Sequence, residues 1–227
     1  MRERYTVTID GPAGSGKSTA ARLLAERLEI VYLNSGALYR AATYKAIGSG
    51  IDPADGPAVV KMIEKMQIVF AHGGSGTRVL VDGQDVTGEL NSTRVTERVY
   101  LLADNPVVRE AVGKLARRMV GQQSFVAEGR DQGTVVFPEA EVKFYLDASL
   151  SERARRRHRD LTRAGEKTSL GEVEAALADR DQRDMSRKVG TLKAAEDALY
   201  VDNSALDIQE TVELLKEKVG EKLGRDC

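Results

Sequence analysis

Apolar and polar positions follow two rhythms along this chain. Short apolar runs such as YTVTI (5–9) suit buried strands, whereas Leu23, Leu24 and Leu28, after a glycine-rich turn, suit the inner side of a helix. A second run, VYL (31–33), leads into a helix expected from about Gly36. Further runs at SFVA (124–127), VKFYL (142–146) and ALYV (198–201) bring the expected sheet to five strands. The last helix opens at Asp207 with Glu210 three residues on, a capping-box variant, and repeats Ile208, Val212, Leu215 and Val219. Strands alternating with helices predict an α/β fold, a parallel sheet covered by helices.

The rhythm changes between about 37 and 110, where MQIVFAHGGSGTRVLVDGQDVTGEL has strand-like runs broken by HGGSG and DGQD, turn signals for small antiparallel hairpins. This reads as an inserted lobe. His72, in the first of those turns, reads as a surface residue.

One helix breaks the apolar pattern. Leu170, Val173 and Leu177 are followed by RDQRDMSR, which places Arg180, Arg183, Asp184 and Arg187 at i, i+3, i+4 and i+7, where a buried face would be apolar. The second half of that helix is expected to project toward something anionic.

Composition narrows the field. With 227 residues and 41% hydrophobic content the chain can bury a substantial core, and 34 basic against 35 acidic side chains leave a net charge of −1. No global field points to nucleic acid or an anionic membrane, so any anion site must be built locally. The single cysteine, Cys227, excludes an intrachain disulfide, and no Cys or His metal box is present. No apolar run approaches a membrane span, and MRERYTVTID lacks the apolar segment of a signal peptide, so a cytoplasmic protein is expected.

The first strand ends in GPAGSGKS, Gly11 to Ser18, a complete G-x-x-x-x-G-K-[S/T] between an expected strand and an expected helix. Its glycines let backbone N–H groups close on phosphate oxygens at a helix N-terminus. Lys17 would reach the β and γ phosphates and the Ser18 hydroxyl would coordinate Mg²⁺. The alternative is an ordinary glycine-rich turn. The loop alone does not separate a kinase from a GTPase, a motor or a passive sensor, although the absence of an N-K-x-D signature disfavours a guanine switch.

Other segments add anion-binding chemistry. NSGALYR (34–40) offers Ser35, a helix N-terminus and Arg40, although simple N-capping by Asn34 or Ser35 would explain it too. EGRDQG (128–133) puts Arg130 and Asp131 at the carboxyl end of a strand, where α/β sheets bind ligands; an ordinary surface ion pair is the other reading. SERARRRHRDLTR (151–163) carries six arginines, with Arg153, Arg156 and Arg157 on one face, so it is either a solvated helix or a mobile phosphate-gripping lid.

Electrostatics gives such clusters a purpose. MgATP and a nucleoside monophosphate each carry about −2, and at about 5 Å and an effective dielectric of about 20 they repel by roughly 13 kcal/mol. One lysine cannot offset that, whereas several convergent arginines and a metal can.

Over nearly its whole length the chain resembles the bacterial cytidylate kinases, a family of nucleoside monophosphate kinases. The likeness is carried by TIDGPAGSGKST, NSGALYR, VTGEL, NPVVREAV, EGRDQGTVVFPEAEVKFYLDAS, ERARRR and RDQRDMSR in that order. The resemblance implies a P-loop core with a five-stranded parallel sheet (1–36, 111–150 and 166–227), an acceptor lobe at 37–110 with a small antiparallel sheet, and a lid at 151–165. It implies transfer from MgATP to CMP or dCMP. The loop residues Gly11, Pro12, Ala13, Gly14, Ser15, Gly16, Lys17, Ser18 and Thr19 would hold ATP, with Ser18 on the metal. Ser35, Arg40, Arg130, Arg180 and Arg187 would surround the acceptor phosphate, Asp184 with Arg180 would meet the ribose, and Arg109 and Asp131 would read cytosine. Lys17, Arg130, Arg153, Arg157 and Arg187 are the candidates for direct work on the transferred group.

The Asp131 assignment has its own chemistry: cytosine offers an N4 amino donor to a carboxylate, whereas uracil presents an acceptor. No general base is needed, because the acceptor phosphate, with a second pKa near 6, is already mostly a dianion at neutral pH. Three departures stand out: Asn34 in place of the family's usual Asp, Tyr100 where a serine often helps bind the base, and GTL (190–192) where proline is usual. A kinase for UMP or another small phosphorylated acceptor, and a nucleotide-binding regulator without transfer, are the competing readings. A monomer acting on small molecules, with no nucleic acid or membrane partner, is expected.

Overall fold

The computed structural model describes residues 4–73 and 76–224, without the side chains of 72–76. In chain order the elements are β1 (Thr6–Asp10), α1 (Lys17–Leu28), β2 (Val31–Asn34), α2 (Ser35–Gly48), α3 (Gly56–Lys65), β3 (Ile68–Gly73), β4 (Gly76–Val81) and β5 (Gln84–Asp85). There follow α4 (Thr93–Thr96), α5 (Val99–Ala103), α6 (Pro106–Val120), β6 (Phe125–Gly129), β7 (Val142–Asp147), α7 (Leu150–Arg163), α8 (Leu170–Ser186), β8 (Leu199–Asp202) and α9 (Ile208–Leu223). A short π-helical turn occupies Gln132–Val136.

The chain divides into two compact units, Met1–Tyr32 with Gln122–Cys227, and Leu33–Gly121. The second is wider than the 37–110 lobe expected from the sequence. Within it α6 packs along α3.

The five-stranded sheet runs β2-β6-β1-β7-β8, and β1 pairs in parallel with both β6 and β7. Every residue of β1 and β6 is buried, as a sheet covered on both faces requires. Val7, Ile9, Leu24, Leu28, Val126, Phe144, Leu146, Leu215 and Val219 form one core that joins α1 and α9 to the strands. Leu24, Leu28, Val212, Leu215 and Val219 are therefore on the inner faces read from their spacing. Register sets Asp10 beside Gly129 on one side and Tyr145 on the other. These residues share the carboxyl edge of the sheet.

In the other unit β3, β4 and β5 form a three-stranded antiparallel sheet. Val81 pairs with Gln84, and between them Asp82 and Gly83 have φ of 50° and 82°. Both central residues are left-handed, which is what a two-residue Asp-Gly hairpin demands. His72, Gly74, Ser75 and Cys227 lie outside the residues whose side chains are described.

Candidate active site

The P-loop shape is set by tight backbone. A Cβ on Gly11 would sit 2.1 Å from the Leu146 carbonyl oxygen of β7, so only glycine lets the chain leave β1 there. Gly14 and Gly16 take φ of 79° and 85°, and Gly16 is the residue before α1. The helices α2, α3, α6, α7, α8 and α9 each have a side chain accepting from their first-turn N–H groups, but no described side chain caps α1. The donors at its start and its dipole thus point at the loop, the arrangement that draws an anion.

Lys17 is buried and its Nζ donates to the Pro12 carbonyl oxygen at 2.9 Å. Burial, helped by the positive Arg130 and Arg180, lowers its pKa to about 7, while Glu128 and Asp184 act the other way. Such an ammonium gains from any phosphate that reaches it. Ser18 Oγ donates to Glu128 Oε1 at 2.9 Å, setting a hydroxyl beside a buried carboxylate at the end of β6. Among the described residues no group of three or more His, Cys, Asp or Glu could hold a metal. A cation here would share its ligands with the nucleotide. Hydroxyl and carboxylate oxygens suit a hard ion such as Mg²⁺, which is normally held by one or two protein groups with phosphates and water.

The charged strip of α8 is organised by its carboxylates. Asp184 is 3% exposed; it accepts from Arg130 Nε at 2.7 Å on one oxygen and lies 2.7 Å from Arg187 Nη2 on the other. Burial pushes its pKa up, but Arg130, Arg187 and Arg180 outweigh that and hold the carboxyl below its usual value. Three of the four residues grouped by helical spacing, Arg180, Asp184 and Arg187, thus interact around one carboxylate. Arg183 does not join them in the same way: its Nε donates back to the Asp179 carbonyl oxygen at 3.3 Å. The buried line of α8 is Val173, Leu177, Asp181 and Asp184. The buried face continues beyond its last apolar member, Leu177, as two carboxylates, each satisfied by arginine.

On α7 the three arginines expected on one face have different surroundings. Arg153 is buried, and its guanidinium donates to Ala148 O at 2.9 Å, Ala13 O at 3.0 Å and Asp181 Oδ2 at 2.5 Å. Arg156 donates to Asn203 O at 2.8 Å and to Asn203 Oδ1 at 3.1 Å, and its Nη1 also reaches Ser15 O at 3.4 Å. Arg157 is exposed. In the 151–165 segment α7 ends at Arg163, and α7 and α8 enclose a small apolar cluster of Ala13, Ala154, Val173 and Leu177.

Asp131 is 4% exposed, directly before the π-helical turn, and Gln132 Nε2 lies 3.4 Å from its Oδ1. Asp10 is 4% exposed and accepts from the Gln132 N–H and the Gly133 N–H, each at 2.8 Å.

The Leu33–Gly121 unit carries Ser35, Arg40 and Arg109. Ser35 is buried at the start of α2, and Asn34 Oδ1 accepts from Ala37 N at 2.9 Å. Asparagine therefore keeps the cap that aspartate would make. Arg40 Nη1 donates to Leu90 O and Thr96 Oγ1, both at 2.9 Å. Arg109 is 6% exposed, donates to Ala103 O at 2.7 Å and lies 5.5 Å over the Tyr39 ring. Tyr100 is 46% exposed on α5.

Sequence reasoning passed over Glu128, Asp10, Asp181 and Asn203. Two of them had a visible signal, a carboxylate closing an apolar strand, in TID and FVAEG. Asp181 sits four residues after Leu177 on the buried line, but spacing alone gives no reason for a carboxylate there.

A family model described as Cytidylate kinase matches residues 7–221. The chain is 42% identical over 216 residues to a protein of Carboxydothermus hydrogenoformans named cytidylate kinase, covering 95% of this chain and 97% of that one. It is 41% identical over 224 residues to one of the same name from Geobacillus kaustophilus, covering 99% and 100%. Among solved structures, TT1252 from Thermus thermophilus aligns with a TM-score of 0.51 at 20% identity over 97% of this chain and 98% of that one, a likeness of fold.

Proposed function

We propose that this chain, which belongs to the cytidylate kinase family, transfers the γ-phosphoryl group of ATP to CMP or dCMP, giving ADP and CDP or dCDP. The observation that carries the chemistry is the Asp184 centre, where a buried carboxylate holds Arg130 and Arg187 in the unit that also carries the uncapped P-loop. A passive sensor holds one nucleotide; cationic groups built around a second carboxylate-ordered centre suit two polyanions.

The backbone N–H groups from Gly11 to Thr19 and Lys17 bind the ATP phosphates. Ser18, with the neighbouring Glu128, would hold Mg²⁺. When bound, the ion neutralises phosphoryl oxygens. In the P-loop unit Arg130, Arg180 and Arg187 are the ligands for the acceptor phosphate and Asp184 meets the ribose; in the Leu33–Gly121 unit Ser35 and Arg40 are the acceptor-phosphate candidates. Asp131 accepts from cytosine N4, and Arg109 is the candidate for base contact carried by the Leu33–Gly121 unit. Because the acceptor phosphate is already a dianion, these residues need only align it, screen its charge and exclude water. Arg157 is an outward arginine of α7 that would reach the transferred group on closure of the 151–165 lid, with Arg153, held by Ala13 and Asp181, beside the P-loop.

The same proposal makes the protein a cytoplasmic monomer acting on small molecules, without nucleic acid or membrane partners. No helix among the described residues is long and apolar enough to cross a membrane. A coupled assay of ADP release with CMP, dCMP, UMP, AMP and no acceptor tests the reaction. Release that requires CMP or dCMP supports it; acceptor-independent release or preference for UMP overturns it.

A further inference from the structure

We propose that Asp10 is a positioning residue for acceptor recognition: from the end of β1 its carboxylate fixes the backbone that follows Asp131, and thereby the aim of Arg130 and Asp131. The inference rests on the reading of Asp131 as the cytosine acceptor.

Each Asp10 oxygen has its own donor, Oδ1 the Gln132 N–H and Oδ2 the Gly133 N–H, both at 2.8 Å. These are the first two N–H groups of the π-helical turn, whose other end is tied by Val135 N–H and Val136 N–H donating to Asp131 O at 2.9 and 3.1 Å. Asp10 is set by pairing to Gly129 in β6 and Tyr145 in β7, so the clasp is anchored in the sheet. Gly133 packs so closely that a Cβ would come 2.8 Å from Thr8 Oγ1. Holding the Gln132 amide fixes the peptide plane after Asp131, and so the direction in which its side chain leaves the backbone.

A carboxylate is the side chain this geometry requires. Both of its oxygens accept, whereas an amide offers one acceptor and turns an NH₂ toward the second N–H. Burial pushes the Asp10 pKa up to about 7, with the Asp131 carboxylate adding to that; the Gly133 and Gln132 N–H groups and Arg130 pull it down. An apolar residue there would leave the Gln132 and Gly133 N–H groups buried without an acceptor, so the same carboxylate that orders the turn also stabilises it. The direct neighbours of the clasp bear on the acceptor, so its loss should fall there first.

The test is Asp10→Asn, nearly isosteric. Expected are a roughly tenfold rise in KM for CMP and a similar fall in the preference for CMP over UMP, with kcat at saturating CMP changed less than about threefold, the size of one lost charge-assisted hydrogen bond. ADP affinity, measured without acceptor, should stay as in the unaltered protein. Equal losses toward ATP and CMP, or an unchanged CMP-to-UMP ratio, would overturn the proposal. A readout independent of turnover is hydrogen exchange at the Gln132 and Gly133 amides of the unaltered protein: slow exchange is expected, and rapid, loop-like exchange sinks the clasp even if the variant fails to fold. Should the unaltered protein fail to use CMP, the kinase reading falls and the acceptor role with it, while the exchange rates still decide whether the clasp exists.

Discussion

Arg153 and Asp181 meet at 2.5 Å in the interior of the P-loop unit, and each also holds Ala13, the arginine through its carbonyl oxygen and the aspartate, at 3.3 Å, through its N–H. The third residue of the phosphate loop is thereby tied to α7 and α8 at once. Asp184, one turn on from Asp181 in α8, holds Arg130 and Arg187. One helix therefore orders both the donor loop and the arginines read as acceptor ligands.

Removing one member of that pair leaves a buried charge without its partner. Asp181→Ala is expected to lower stability by about 3–5 kcal/mol, read from urea unfolding, and to weaken ADP binding because Ala13 loses an acceptor. Unchanged stability would mean that Arg153 finds water or another acceptor instead.

Lys17→Ala is expected to abolish transfer while the fold, checked by circular dichroism, persists. Its depressed pKa of about 7 also fixes a pH dependence. Above pH 7 the empty site holds a largely neutral lysine, and bound phosphates raise its pKa, so binding takes up a proton and ADP affinity falls as pH rises from about 7 toward 9. Calorimetry in buffers of different ionisation enthalpy should show that uptake in the unaltered protein and a much smaller one in Lys17→Ala.

Asp131→Ala should chiefly erode the preference for CMP over UMP, through loss of kcat/KM toward CMP of roughly 2–4 kcal/mol in ΔΔG‡, the scale of an unmet buried hydrogen bond. Equal loss toward both acceptors would argue that Asp131 holds the loop rather than reads the base.

Asp184→Asn is expected to raise KM for CMP by roughly tenfold or more, since Arg130 and Arg187 lose the anion that holds them. Its stability effect should depend on pH. The carboxyl titrates below its usual 3.8, so the ion pairs stabilise the fold at neutral pH and that stabilisation is lost as pH falls below about 4. The difference in Tm between the unaltered protein and Asp184→Asn should therefore shrink in acid and be constant from about pH 5 to 7.

How far the sequence carried depends on the residue. The strand read at 142–146 and found at Val142–Asp147, the P-loop and the Asp207 cap were legible because each is decided by neighbours in the chain: apolar run, glycines that permit φ of 79° and 85°, and a side chain reaching the next turn. Grouping Arg183 with Arg180, Asp184 and Arg187 came from helical spacing alone, and its turn toward Asp179 O shows the limit of that argument. Spacing places a Cα on a face, but a long side chain chooses its partner.

The sequence by itself determined the phosphate loop, the alternation of strand and helix, and the arginine-rich runs at 151–163 and 180–187, because these depend on local backbone preference and on residue type. Only the tertiary structure decided which carboxylate answers which arginine and that Asp10 reaches across to Gln132 and Gly133, 122 and 123 residues away. The physical reason is that a buried charge is tolerated only where packing brings a partner within about 3 Å, and that distance is set by strands and helices far apart in the chain.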